Sequence, residues 1–293
     1  MNMRAVAFLI LLSSLPLATH AQSGVGVDVD DVTDNRMSEG PMTGSLELRV
    51  KLKGTGLDKA TAARIVVKDA RDDRGNALKA STFGTDYMPR DYNSGTLQVS
   101  VSSPARAATS VSIKGTLELF VPTRDPNAVV KIDKALAKLD APLSHAKLKS
   151  AKLSITPLSP DGYAARMKSR KLDDTKIAQI RAEGKKQGVP EKEIELAIEL
   201  AKAFEGMDSP PSEGELVLAG TKADFDRIFR IDVLGADGKP IDTSGRSVST
   251  RGDDVLMTLQ PSTPPPASAA LQVYLLTAKS QMSFPFELKV NLP

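Results

Sequence analysis

Apolar and polar residues alternate along much of the chain. In SLELRVKLK, Leu46, Leu48, Val50 and Leu52 fall on one side and the charges on the other. TLQVSV does the same with Leu97, Val99 and Val101, and SVSIKGTLELFV keeps Val111, Ile113, Leu117, Leu119 and Val121 in one register, with Gly115 between. FPFELKVNL places Phe284, Phe286, Leu288, Val290 and Leu292 on one face. A period of two predicts strands with one face on a core and one in water. That pattern suits antiparallel sheets.

One stretch has a different period. In residues 173–207, Ile177 and Ile180 form a short apolar stripe, and Ile194, Ala197, Ile198, Ala201 and Phe204 form a longer one at helical spacing. Asp173 and Asp174 are placed to cap the first helix. Gly188 ends it, and Pro190 falls in the first turn of the second. The spacing predicts a helical hairpin between two strand-rich regions.

Those regions resemble each other. ARIVVKDARDDRGNAL (63–78) matches FRIDVLGADGKPI (229–241) at Ile65 and Ile231, Val67 and Val233, and Gly75 and Gly238. TLELFV (116–121) also matches PFELKV (285–290). An internal duplication follows as the expectation. The predicted fold is mainly β: two antiparallel β-sandwich modules with a helical hairpin inserted between them. The architecture resembles tandem immunoglobulin-like or fibronectin-like sandwiches, on strand periodicity and turn spacing alone. The expected boundaries are a first module at 45–170, the hairpin at 171–208 and a second module at 209–293.

The first residues combine Arg4, an apolar run from Ala5 to Leu17, and small residues around His20. This predicts a secretory signal peptide over 1–21, too short in its apolar run to span a bilayer. Residues 22–44 carry five acids (Asp28, Asp30, Asp31, Asp34, Glu39) against one arginine and read as a flexible leader. The expected location is periplasmic or secreted, with no transmembrane segment after cleavage. There is no cysteine, and the 293 residues are enough to build a core without disulfides.

Net charge is only +3, but residues 124–171 hold eleven basic groups against four acids. Lys147, Lys149 and Lys152 in that stretch are candidates for meeting an anionic surface. A single aromatic, Tyr163, lies within it, so no stacking platform for nucleic acid is expected.

Little catalytic chemistry is legible. His145 is the one histidine beyond the signal segment, too few for a zinc cluster, and without cysteine there is no thiol nucleophile. Ser144 and Lys147 match S-x-x-K by chance if residues 142–153 form a strand, which is how they read. Asp69, Asp72, Asp73 and Gly75 suggest a cation loop. The matching turn at Asp237-Gly238 keeps the glycine and drops most of the acids, so a backbone turn is the better reading. No catalytic residue, cofactor or metal is expected.

One loop stands out. Phe83, Tyr87 and Tyr92 cluster with Arg90 in FGTDYMPRDYNSG, and the matching loop of the second module has no aromatic. Tyr and Arg are enriched at interface hot spots, so Phe83, Tyr87, Arg90 and Tyr92 are the candidate partner-binding residues. The expected function is a non-enzymatic exported protein that recognises a protein or cell-envelope partner, without nucleic acid. A carbohydrate-binding module associated with envelope metabolism ranks second, and an enzyme using a carboxylate pair third.

Overall fold

The structure is a computed structural model and describes residues 24–35, 44–81, 86–89, 95–204 and 210–293. Residues 1–21, where the signal peptide is expected, lie outside the described residues. In chain order come β1 (Gly26–Asn35), β2 (Ser45–Lys53), β3 (Ala62–Asp72), β4 (Met88–Pro89), β5 (Thr96–Ser102), β6 (Ser110–Phe120) and β7 (Val129–Ile132). Helix α1 (Ala146–Ser150), β8 (Thr156–Leu158) and helices α2 (Pro160–Arg170), α3 (Asp174–Lys186) and α4 (Glu191–Phe204) follow. Then come β9 (Leu216–Thr221), α5 (Lys222–Phe225), β10 (Ile228–Leu234) and β11 (Thr243–Arg251). Strands β12 (Asp254–Pro261), β13 (Ala270–Leu275) and β14 (Gln281–Asn291) follow these. The protein is mainly β, and its described residues form four antiparallel sheets.

The first large core lies between the sheets β1-β2-β5 and β14-β6-β3-β4. The predicted alternation is visible there: Leu46, Leu48 and Val50 are buried, while Arg49 and Lys51 are exposed. Ile113, Leu117 and Leu119 on β6 meet Leu288 and Val290 on β14 in the same core. Gly115 lies opposite Phe286, and a Cβ on it would fall 2.6 Å from the Phe286 ring and 2.5 Å from the Val66 carbonyl oxygen. The ring of one strand thus covers the glycine of the next.

The second core joins β10-β13-β7 to β11-β12-β9-β8. Val233, Leu218 and Leu271 are fully enclosed in it, with Val130 from β7 and Leu148 from α1. Strand order repeats between the two cores. β6 lies between β3 and β14 as β13 lies between β10 and β7, and β2 pairs with β5 as β9 pairs with β12.

This arrangement corrects the predicted boundaries. Strands β7 and β8, placed by sequence in a module at 45–170, pair with β13 and β9 of the second core. Strand β14, placed in a module at 209–293, pairs along its whole length with β6 of the first. Each half of the chain lends a strand to the other. The match of TLELFV with PFELKV is therefore not an equivalence between modules. These segments are neighbours in one sheet, with Leu117 opposite Phe284, and similar burial demands produce similar sequences.

The acidic segment after the expected signal is also corrected. Residues 26–35 are not a flexible leader but an edge strand, paired with β2 from Gly26–Lys53 to Asn35–Ser45. Val27 is buried, Val29 and Val32 pack against the core, and Asp28, Asp30 and Asp31 face solvent. A bulge between Val29 and Asp31 breaks the period of two, which hid the strand. Acids on an edge strand discourage pairing with other chains.

Helices α3 and α4 bury Ile177, Ile194 and Ile198 against one another. Asp173 caps α3 by accepting the Lys176 amide at 2.8 Å, and Gly188 takes the left-handed φ of 74° at the turn. Ala197 is exposed, so the buried stripe is narrower than the spacing suggests.

Candidate functional site

The aromatic loop leads to the junction between the cores. Phe83, Arg90 and Tyr92 lie outside the described residues. Tyr87 is described, and it is only 8% exposed. It packs with Ala62 and Phe120 of the sheet β14-β6-β3-β4, with Ala128 just before β7, and with Phe229 of β10. The Tyr87 ring meets Phe120 at 6.3 Å and Phe229 at 6.1 Å, both edge to face. Phe120 and Phe229 are 5.0 Å apart, and Tyr274 continues the row 6.5 Å beyond Phe229. Such pairs add to the burial of apolar surface.

The polar end of Tyr87 is equally engaged. Its hydroxyl donates to Gln281 Oε1 at 3.0 Å and to Glu118 Oε2 at 3.3 Å. Glu118 also takes Arg64 Nε at 2.7 Å, and the Arg64 guanidinium lies 4.5 Å over the Tyr87 ring. Burial pushes the phenol pKa up, so it stays a neutral donor. Tyr87 is thus a joint between the halves rather than a ring held out to solvent. That differs from the exposed contact expected of it, because its partners come from strands the sequence did not place beside it.

A cleft of about 800 Å³ opens next to this joint. One side carries Arg64 and Met88. The other carries β10 and β11, the edge strands of the two sheets of the second core. Arg230 faces Tyr274 across the β10–β13 pair, 4.7 Å from the ring centroid and 3.0 Å from Asp232. Burial works against the Arg230 charge, but the Tyr274 hydroxyl and Asp232 outweigh it and raise the pKa. Arg246 on β11 reaches the Phe229 carbonyl of β10 at 3.5 Å, and Val248 beside it is 48% exposed. The arrangement offers two strand edges, fixed cations and apolar surface. Strand edges beside apolar surface are one means by which a protein can hold an extended chain.

Arg64, Phe229, Arg230 and Tyr274 were missed from sequence, although two signals were present. Phe120 and Tyr274 each stand out of phase with the core face of their own strand. A large aromatic on the otherwise polar face marks a second packed surface.

The basic candidates separate. Residues 146–150 are helical, not a strand, and His145 caps the helix by accepting the Lys147 amide on Nδ1 at 3.1 Å. Lys147 Nζ donates to the Pro126 carbonyl and, at 3.3 Å, to that of Val129. Its charge therefore serves the fold. Lys149 and Lys152 are exposed.

In the acidic turn, Asp72 accepts the Asn76 side chain at 2.9 Å and the backbone amides of Asn76, Arg74 and Ala105. Asp73 accepts the Thr109 hydroxyl at 2.6 Å, and Gly75 takes the φ of 85° that the reversal requires. Among the described residues no group of three or more His, Cys, Asp or Glu is placed to hold a metal ion.

No protein-family model matches the chain, and no curated protein matches it. One solved structure with a similarity is the solution NMR structure of a conjugate transposon protein (27–141) from Bacteroides vulgatus. It is 16% identical, over 36% of this chain and 77% of that one, with a TM-score of 0.15, an overlap too small to carry an argument about fold or function.

Proposed function

We propose that the chain is an exported, non-enzymatic binding protein of the bacterial envelope that recognises a protein partner as an extended segment laid between β10 and β11. The export part of this reading rests on the signal-like pattern of residues 1–21. No described helix is long and apolar enough to cross a membrane. We read the mainly β architecture as a pair of immunoglobulin-like sandwiches. The sheets β8-β9-β12-β11 and β10-β13-β7 follow the order of the two sheets of a constant-type immunoglobulin domain, with the final strand supplied by the other half. On this reading the two halves descend from one duplicated module, and α3 and α4 form a hairpin inserted after the first.

The observation that carries the proposal is the cleft beside Phe229. It is bordered by two strand edges, the places where a sheet can take on a further strand. A protein partner is favoured over a sugar because the rings of Tyr87, Phe120 and Phe229 are buried against each other, leaving no broad face of these three rings to a pyranose.

Capture from a native envelope extract, with partners identified by mass spectrometry, tests the reading. Arg246→Glu and Val248→Asp alter the rim without touching either core, and each should reduce recovery of the partner about tenfold. The same partners at the same yield from both variants would refute it.

A further inference from the structure

The core-facing side of β11 is left uncovered. β11 pairs with β12, with Arg246 opposite Leu259 and Val248 opposite Met257. Residues directly opposite in an antiparallel pair point to the same face of the sheet. Leu259 and Met257 are buried in the second core. Arg246 and Val248, on that same face, are exposed. The facing sheet therefore stops short of β11, and the space it leaves is the cleft beside Phe229. Ile228, Phe229 and Leu276 add apolar surface to that space.

Most charges around the cleft are matched within the fold. Arg64 pairs with Glu118, Arg230 with Asp232, and Lys222 with Asp226. Arg246 is different. Among the described residues its guanidinium donates to the Phe229 carbonyl at 3.5 Å and forms no ion pair. Asp86 is exposed on the opposite wall, beside Met88, and does not reach it. A neutral bond of that length is at the weak end of hydrogen bonding, whereas a guanidinium bound to a carboxylate makes shorter and stronger bonds. The edge strand itself, TSGRSVSTR, holds two arginines and no acid.

We propose that the partner segment adds to the edge of β11 with an acidic side chain against Arg246 and, two residues away, an apolar side chain against Val248. The proposal rests on the cleft being the seat of an extended protein segment, as argued above. Side chains of a strand alternate between faces, so a spacing of two brings both to the core-facing side. The acid gives Arg246 a charged, planar partner in place of its long bond to a carbonyl. A lysine or arginine at the same place would set like charges against each other, which selects against basic segments. The apolar residue covers Val248 and extends the second core across the gap. The residue between them points to the outer face, where Ser247 lies.

Fluorescence anisotropy with the full chain tests the proposal. The probes are labelled peptides of alternating Thr and Val in which one central Val is replaced by Asp, Asn or Lys, used at concentrations where they do not self-associate. Saturable binding of the Asp peptide is expected. The Asn and Lys peptides should bind about tenfold more weakly or worse, the loss of a charge-assisted contact. Arg246→Glu should invert the order in favour of the Lys peptide, and Arg246→Gln should bring the Asp and Asn peptides together. A melting curve of each variant shows whether the fold is kept. Added salt should weaken the Asp peptide more than the Asn peptide. The proposal is overturned if the Asp peptide does not bind the wild type, if the Asn or Lys peptide binds as tightly, or if both Arg246 variants keep the wild-type order. Equal binding of all three peptides that is lost in Val248→Asp would reject the acidic preference and leave the seat for an extended segment intact. That seat is decided separately, by capture from the envelope extract.

Discussion

Thr277 donates its hydroxyl to the Asp125 carboxylate across 2.6 Å, although 152 residues separate them in the chain. The two lie in the crossing segments, where β6 leaves for β7 and β13 leaves for β14. The Val121 amide donates to the Ser280 carbonyl and the Leu275 amide to that of Ala128, each at 2.7 Å, so the crossings are bound to each other. Thr277→Val keeps the shape and removes the donor. It should lower stability by about 1–3 kcal/mol, the effect of leaving a buried acceptor short of a partner. Urea denaturation measures this, and an unchanged midpoint would show that the bond is dispensable.

Strand exchange makes an unusual prediction for fragments. Removing residues 281–293 should unfold the first core, because Leu288 and Val290 cover Ile113 and Val111 there. Hydrogen exchange should show Leu117 and Leu119 losing protection while Leu218 and Leu271 keep it. A fragment of residues 45–170 should fail to fold, since it lacks β14 and carries β7 without β13. Folding of that fragment in isolation would contradict the exchange. In the intact chain, Leu119→Ala and Leu288→Ala should each cost about 2–5 kcal/mol.

Tyr87 should behave as a structural residue. Tyr87→Ala removes a buried ring from between the halves and should cost about 3–5 kcal/mol. Tyr87→Phe keeps the ring and removes the hydroxyl that reaches Gln281 and Glu118, for about 0.5–1.5 kcal/mol. Thermal denaturation of both variants checks the order. Wild-type stability in Tyr87→Ala would place the ring outside the joint.

Asp72 ties stability to acid. The Asn76 side chain foremost, with the amides of Ala105, Asn76 and Arg74, outweighs the effect of burial and holds its pKa down to about 2 from 3.8. The folded state binds this proton more weakly than the unfolded chain. The stabilisation is therefore complete above pH 3.8 and is lost as pH falls through about 2. Asp72→Asn should be less stable than wild type at pH 7, with the gap narrowing as pH falls toward 2. Denaturation at both pH values tests this, and an equal gap would show that the carboxylate does not hold the turn.

What could be read from the sequence follows from the range of the forces involved. The alternation of Leu46, Leu48 and Val50 reports local burial, so strands were legible, as were the Asp173 cap and the Gly188 turn. Pairing was not legible: Leu117 faces Phe284 because of a crossing that no local pattern records. Helix α1 spans five residues and buries only Leu148, too little for a helical period to emerge, and its cap is a histidine. α5 did carry a readable sign, with Thr221 and Asp224 forming a capping box. Tyr87 was conspicuous by type, but its surroundings depend on Phe229 and on Gln281, which is 194 positions away.

The lent strands also set the order in which the chain can mature. Ribosomes deliver residues in sequence, so β6 emerges long before β14. Until β14 arrives, β6 has an open edge and Gly115 has no ring over it. Contacts of such long range form late. The first core should therefore close only after the C-terminal half has been made, since β14 completes it.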